Sequence, residues 1–155
     1  MGVIKTPISA ISACFNIMND NDLHIASFCK IDASILDAHP CWYFVYGDNT
    51  YRRGRGGAAA LRDYPHTYGF VTKRYPSNAD DAFFTPMEYT CIFEEEKSKF
   101  YNWMNTLPNN AIVIVSQVGK GLANRYKIWE EIIEPWWRQL RTDPRATRPI
   151  VLNHY

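Results

Sequence analysis

The chain has 155 residues, a formal net charge of +1, 46% hydrophobic residues and 15% aromatic ones. This length fits one domain that buries a core, and near-neutral charge excludes a protein that coats nucleic acid or an anionic membrane through bulk attraction. No apolar run reaches the roughly 18 residues of a membrane span, and "VIKTPISAISACFNIM" lacks the basic start and continuous apolar centre of a secretory signal.

In chain order, residues 1–22 read as an N-terminal extension of a single domain. "LHIASFCKI", residues 23–31, has the composition of a strand, and "DASILDAHP" that of a short helix stopped by Pro40. "CWYFVYG", residues 41–47, is almost wholly aromatic and β-branched, which predicts a strand buried on both faces. "GGAAALRDY" predicts a short helix and "YGFVTKRYP" a strand ending in a basic turn. For residues 85–107 the helix signal is explicit: Thr85 as cap, Pro86 at the first helical position and Glu88 three residues after the cap. "AIVIVSQ" is the second buried strand, residues 125–141 form a helix bent near Pro135, and "PIVLNHY" adds a last strand. Such alternation predicts an α/β layered fold with a mixed, mostly parallel sheet flanked by helices.

Ligands of these folds sit outside the carboxyl ends of strands. Two loops occupy that place, "GDNTYRRGRGG" and "VGKGLANRY", and both are glycine-rich and basic. Glycine permits positive φ and close approach, so successive amides converge on an anion. Gly54, Gly56 and Gly57 form one candidate nest, Gly119 and Gly121 another. Neither loop is a Walker A sequence or a dinucleotide-binding fingerprint. Arg52, Arg53, Arg55, Lys73, Arg74 and Lys120 supply positive charge, either to a phosphorylated ligand or to solvent. Asp48 and Asn49 have two readings: ligand contacts at a strand end, or an Asx-turn. Trp129, Trp136 and Trp137 fit either core or a partner surface.

The cysteines, Cys14, Cys29, Cys41 and Cys91, form no CxxC pair and have no histidine at ligand spacing. Reduced thiols in a cytoplasmic protein without metal or cofactor are the expectation, with two disulfides as the alternative.

Three stretches in order, "RRGRGGAAALRDYP", "YGFVTKRYPSN" and "IVIVSQVGKGLANRYKIWEEII", resemble the loops of macro domains. The likeness covers residues 41–134 and is greatest to the subclass that removes ADP-ribose from glutamate side chains. It extends to an uncharacterised phage-associated group sharing "FVxGDN…GxGGxA" and "GxGLA". The resemblance implies a three-layer macro-like domain that binds ADP-ribose or a related NAD-derived nucleotide. It implies that Gly54, Gly56, Gly57, Gly119, Gly121 and Leu122 line the diphosphate and distal ribose, with Asp48 toward the adenosine side; Asn49, Arg53, Arg55, Lys120 and Asn124, read from the loops themselves, are further candidate ligand contacts. Lys73 matches the lysine that attacks the distal ribose in that subclass. The assisting aspartate falls at Ala123, so Asp48 becomes the candidate base, or the protein binds without hydrolysis. The implied partners are an ADP-ribosylated protein or nucleic acid; in a phage setting the expectation is a counter to host defence, by reversing ADP-ribosylation or by sequestering a nucleotide signal. The rival reading is an interaction protein that uses the arginine loop and the tryptophan-rich last helix.

Overall fold

Residues 42–49 lie at the heart of a sheet because the side chains of residues 42–46 are all aromatic or β-branched and both faces are covered. The computed structural model describes residues 18–155. Strands β1 (Trp42–Asn49), β2 (Thr67–Lys73), β3 (Ile112–Val115) and β4 (Ile150–Leu152) run in the order β2-β1-β3-β4. Every pairing is parallel, so among the described residues the sheet has no antiparallel member.

Alternating side chains feed two cores. Val45, Phe70, Val113, Val115 and Ile150 pack against helix α3 (Pro86–Asn105) and the C-terminal helical segment. On the opposite face Trp42, Phe44, Tyr46, Ile112, Ile114 and Val151 meet helices α1 (Asp20–Phe28) and α2 (Ala33–Ala38). The result is three layers, helix, sheet, helix. Fully burying each Val, Ile or Phe stabilises by about 1.5–3 kcal/mol, and this is what holds the layers together.

Helix α1 replaces the strand expected over residues 23–31. The Asn19 side chain accepts from the Asp22 amide at 2.7 Å, and Asp20 and Asp22 sit in the first turn, where the helix dipole favours negative charge. Helix α1 begins at Asp20, inside the stretch read as an N-terminal extension. Residues 1–17, with Cys14, lie outside the described residues.

Helix α3 starts as its sequence dictates. Thr85 Oγ1 accepts from the Glu88 amide at 3.3 Å, and Glu88 Oε1 accepts from the Thr85 amide at 3.0 Å. This helix also closes the outer edge of β2: Glu96 accepts from the Val71 amide at 2.8 Å, and the Tyr89 hydroxyl donates to the Val71 carbonyl.

The last helix starts later than residue 125, because Lys127 takes a positive φ of 70°. A π-helical turn (Trp129–Ile133) precedes α4 (Glu134–Gln139), and Pro135 sits in the first turn after this change of register. Trp129 and Trp137 are buried, and the half-buried Trp136 stacks on Phe70, so all three pack against the core.

From β1 the chain crosses to β2 on one side, and from β3 it crosses to β4 on the other. Neighbouring β1 and β3 therefore release their C-terminal ends in opposite directions. That divergence opens a crevice, the place where parallel α/β sheets receive ligands.

Candidate functional site

Both glycine-rich loops end at this crevice. Together they line a cleft of about 550 Å³, with Gly54, Gly56 and Gly57 on one wall and Gly119, Gly121 and Leu122 on the other. Asn49 and Arg53 from the first loop and Lys73 from the end of β2 complete the lining. Gly54, Gly57 and Gly119 have φ of 86°, 54° and 86°, values that a side chain disfavours. At Gly119 space is also short, since a Cβ would lie 2.6 Å from Ile133 Cδ1. Gly56 differs: its φ is −81° and nothing lies within 4 Å of the Cβ position, so a side chain there would enter open space.

The first loop is held by a polar knot. Asp48, whose side chain is 1% exposed, accepts from Arg62 Nη1 at 2.9 Å and Nη2 at 2.5 Å, from Arg52 Nη1 at 2.9 Å and from the Asn49 amide at 2.7 Å. Arg62 is itself buried and donates onward to the carbonyls of Gly54 at 2.8 Å and Arg53 at 3.0 Å. Asn49 Nδ2 reaches the Arg53 carbonyl at 2.8 Å. Burial alone would raise the Asp48 carboxyl, but the hydrogen bonds from Arg62, Arg52 and the Asn49 amide outweigh it and hold the group below its usual range. A carboxylate so engaged is a poor proton acceptor. Its hydrogen bonds fix the glycine loop.

Three other expected ligand contacts are not part of the cleft lining. Arg55 donates to Asp63 Oδ2 at 3.0 Å and to the Arg62 carbonyl. Asn124 caps the final helical segment, accepting from the Trp129 amide at 2.9 Å and donating to Glu130 at 2.6 Å. Lys120 lies 5.9 Å above the Trp129 ring and borders a neighbouring hollow.

Lys73 does line the cleft. Its ammonium sits 4.7 Å from the Phe83 ring centroid, and burial first and the charge of Arg125 second push its pKa below that of an ordinary lysine. Among the described residues it forms no ion pair. Asp48 is the sole acid among the described lining residues, and Ala123 occupies the position where the resemblance places a second.

The neighbouring hollow, about 620 Å³, shares Gly57, Ala58, Ser116, Gln117 and Gly121 with the cleft. Its floor comprises Ile31, Phe44, Tyr46 and Leu61, and Lys30 joins Lys120 at its border. Sequence reasoning named none of Arg62, Tyr46, Thr72 or Gln117 as a site residue, and read Tyr46 as part of a buried strand. Only Arg62 left a signal: Asp48 is the one acid in a sixteen-residue stretch with four arginines, so a partner had to be among them. No group of three or more His, Cys, Asp or Glu among the described residues is placed to hold a metal, and no described helix is long and apolar enough to cross a membrane.

The fold and cleft define a parallel α/β domain with a glycine-lined crevice at its switch point. Residues 27–125 match a family of unknown function, DUF7831, and the chain belongs to that family. The matched stretch runs from α1 through the second glycine loop, so both walls of the cleft fall within it. No curated protein and no solved structure matches the chain.

Proposed function

We propose that the cleft binds ADP-ribose or a related NAD-derived nucleotide, with the diphosphate between the two glycine loops. One observation carries this reading: glycine segments some sixty residues apart in sequence border one crevice at the carboxyl ends of β1 and β3. Their amides suit an anion that accepts several hydrogen bonds at once, and Arg53 and Lys73 add charge. The cleft volume suits a ligand of nucleotide size.

The chemistry of the lining favours recognition over self-contained hydrolysis. Lys73 is the one candidate for attack on a ribose carbon, and Asp48 is already committed to two guanidinium groups. Release of ADP-ribose from a modified protein or nucleic acid is therefore the activity that Lys73 would carry, if any.

Calorimetry with ADP-ribose tests the reading. Saturable one-to-one binding is expected, abolished in Gly56→Glu, where the backbone tolerates a side chain and the added carboxylate repels the diphosphate. Absence of heat with the unaltered protein would sink the nucleotide reading. Release assays with ADP-ribosylated substrates then decide the role of Lys73: turnover that survives in Lys73→Ala removes it from the chemistry.

A further inference from the structure

The hollow beside the cleft is chemically unlike it. Its floor of Ile31, Phe44 and Leu61 is apolar, and Tyr46 completes that floor at 5% exposure. The Tyr46 hydroxyl makes no hydrogen bond among the described residues, yet no buried side-chain oxygen lacks a partner, so this hydroxyl has access to solvent. A phenol kept without a protein partner in a depression is a ready contact for a ligand. Gln117 lines both the cleft and the hollow, so the two depressions adjoin.

Charge separates this hollow from a plain ring pocket. Lys30 and Lys120 stand at its border, and neither forms an ion pair among the described residues. Asp32 and Glu130 lie within electrostatic reach of Lys30 and Lys120 respectively, but neither makes a contact ion pair with them among the described residues. Asp32 accepts from the Ile35 amide at 3.0 Å and the Ser34 hydroxyl at 2.8 Å, and Glu130 accepts from Asn124 at 2.6 Å. A neutral heterocycle needs the apolar floor and one or two polar contacts, and has no use for two ammonium groups. An anionic substituent does.

We propose that the nucleotide this protein recognises carries a phosphomonoester on its nucleoside ribose, in addition to the diphosphate. Lys30 and Lys120 hold that phosphate at the border of the hollow, while the ring sits over its apolar floor within reach of the Tyr46 hydroxyl. The inference rests on the nucleotide reading of the cleft and narrows its substrate class.

Calorimetry with ADP-ribose and with its 2′-phosphorylated form tests it. The phosphorylated ligand binds roughly tenfold more tightly, because two ammonium-phosphate contacts are gained. That advantage shrinks as salt is added. In Lys30→Ala/Lys120→Ala the advantage disappears, while ADP-ribose affinity and the thermal midpoint stay as they were. Tyr46→Phe weakens both ligands several-fold without loss of stability, since its hydroxyl has no protein partner to lose. Equal affinity for the two ligands overturns the phosphate preference and leaves the nucleotide reading intact. No heat with either overturns both, and unaltered affinity in Tyr46→Phe removes the ring from this hollow.

Discussion

The two walls of the cleft are built by opposite means. On the first, charge does the holding: Asp48 collects Arg62 and Arg52, and Arg62 passes the restraint on to the carbonyls of residues 53 and 54. On the second, shape does it: Gly119 adopts a left-handed conformation with Ile133 and Thr72 packed where a Cβ would be. The comparison teaches that abundant arginine need not mean a basic binding face. Arg52 and Arg62 are spent on the loop itself and Arg55 on Asp63, which leaves Arg53 as the arginine lining the cleft.

Breaking the charged wall has the largest expected effect. Arg62→Met strands a buried carboxylate, at a cost of about 3–5 kcal/mol, moderated toward the lower value because Arg52 remains. Urea denaturation reads this directly. A loss under about 1 kcal/mol would mean the knot contributes little, as for a surface ion pair.

Acid titration sharpens the same point. The folded Asp48 carboxyl lies below its unfolded value of about 3.9, so its contribution is complete above that pH and is lost as pH falls through the lower folded value. The acid limb of the stability curve should be steeper in the unaltered protein than in Arg62→Met. Parallel limbs would remove Asp48 from the account.

Breaking the shaped wall comes next. Gly119→Ala meets both the positive φ and the Ile133 methyl, at a cost of about 2–3 kcal/mol. Gly121→Ala has nothing within 4 Å of the added Cβ and no positive φ, so it should cost less by the same measurement.

A smaller effect concerns affinity. Since the Lys73 pKa is depressed, nucleotide binding should weaken with rising pH before the roughly 10.4 of an ordinary lysine. Lys73→Arg should move that loss to higher pH; an unchanged profile would take Lys73 out of the contact. Smallest of all, Arg55→Ala removes a solvent-exposed pair with Asp63 and should change stability by under about 1 kcal/mol, with no change in nucleotide affinity.

Much of this fold was legible. Continuous apolar runs gave β1 and β3, and Thr85, Pro86 and Glu88 gave the start of α3, because those signals are local. Helix α1 was misread because Ile25, Phe28 and Cys29 carry a β-like composition, whereas the deciding features, Asn19 and the acids after it, lie just outside that window. For the site, glycine spacing located both walls of the cleft. The partner of Asp48 lies fourteen residues away, just past a 3₁₀ segment (Gly57–Leu61), a distance no periodicity encodes. Tyr46 was taken for core because its ring is core; only its hydroxyl is not.

Glu96 and Tyr89 leave a last consequence at the opposite margin of the sheet. They occupy the outward amide and carbonyl of Val71, midway along what would otherwise be an open β-edge. Another polypeptide seeking to extend the sheet there must first displace a nearly buried carboxylate and a buried phenol. The molecule is thereby guarded against edge-to-edge association, the hazard that accompanies any exposed β2-like strand.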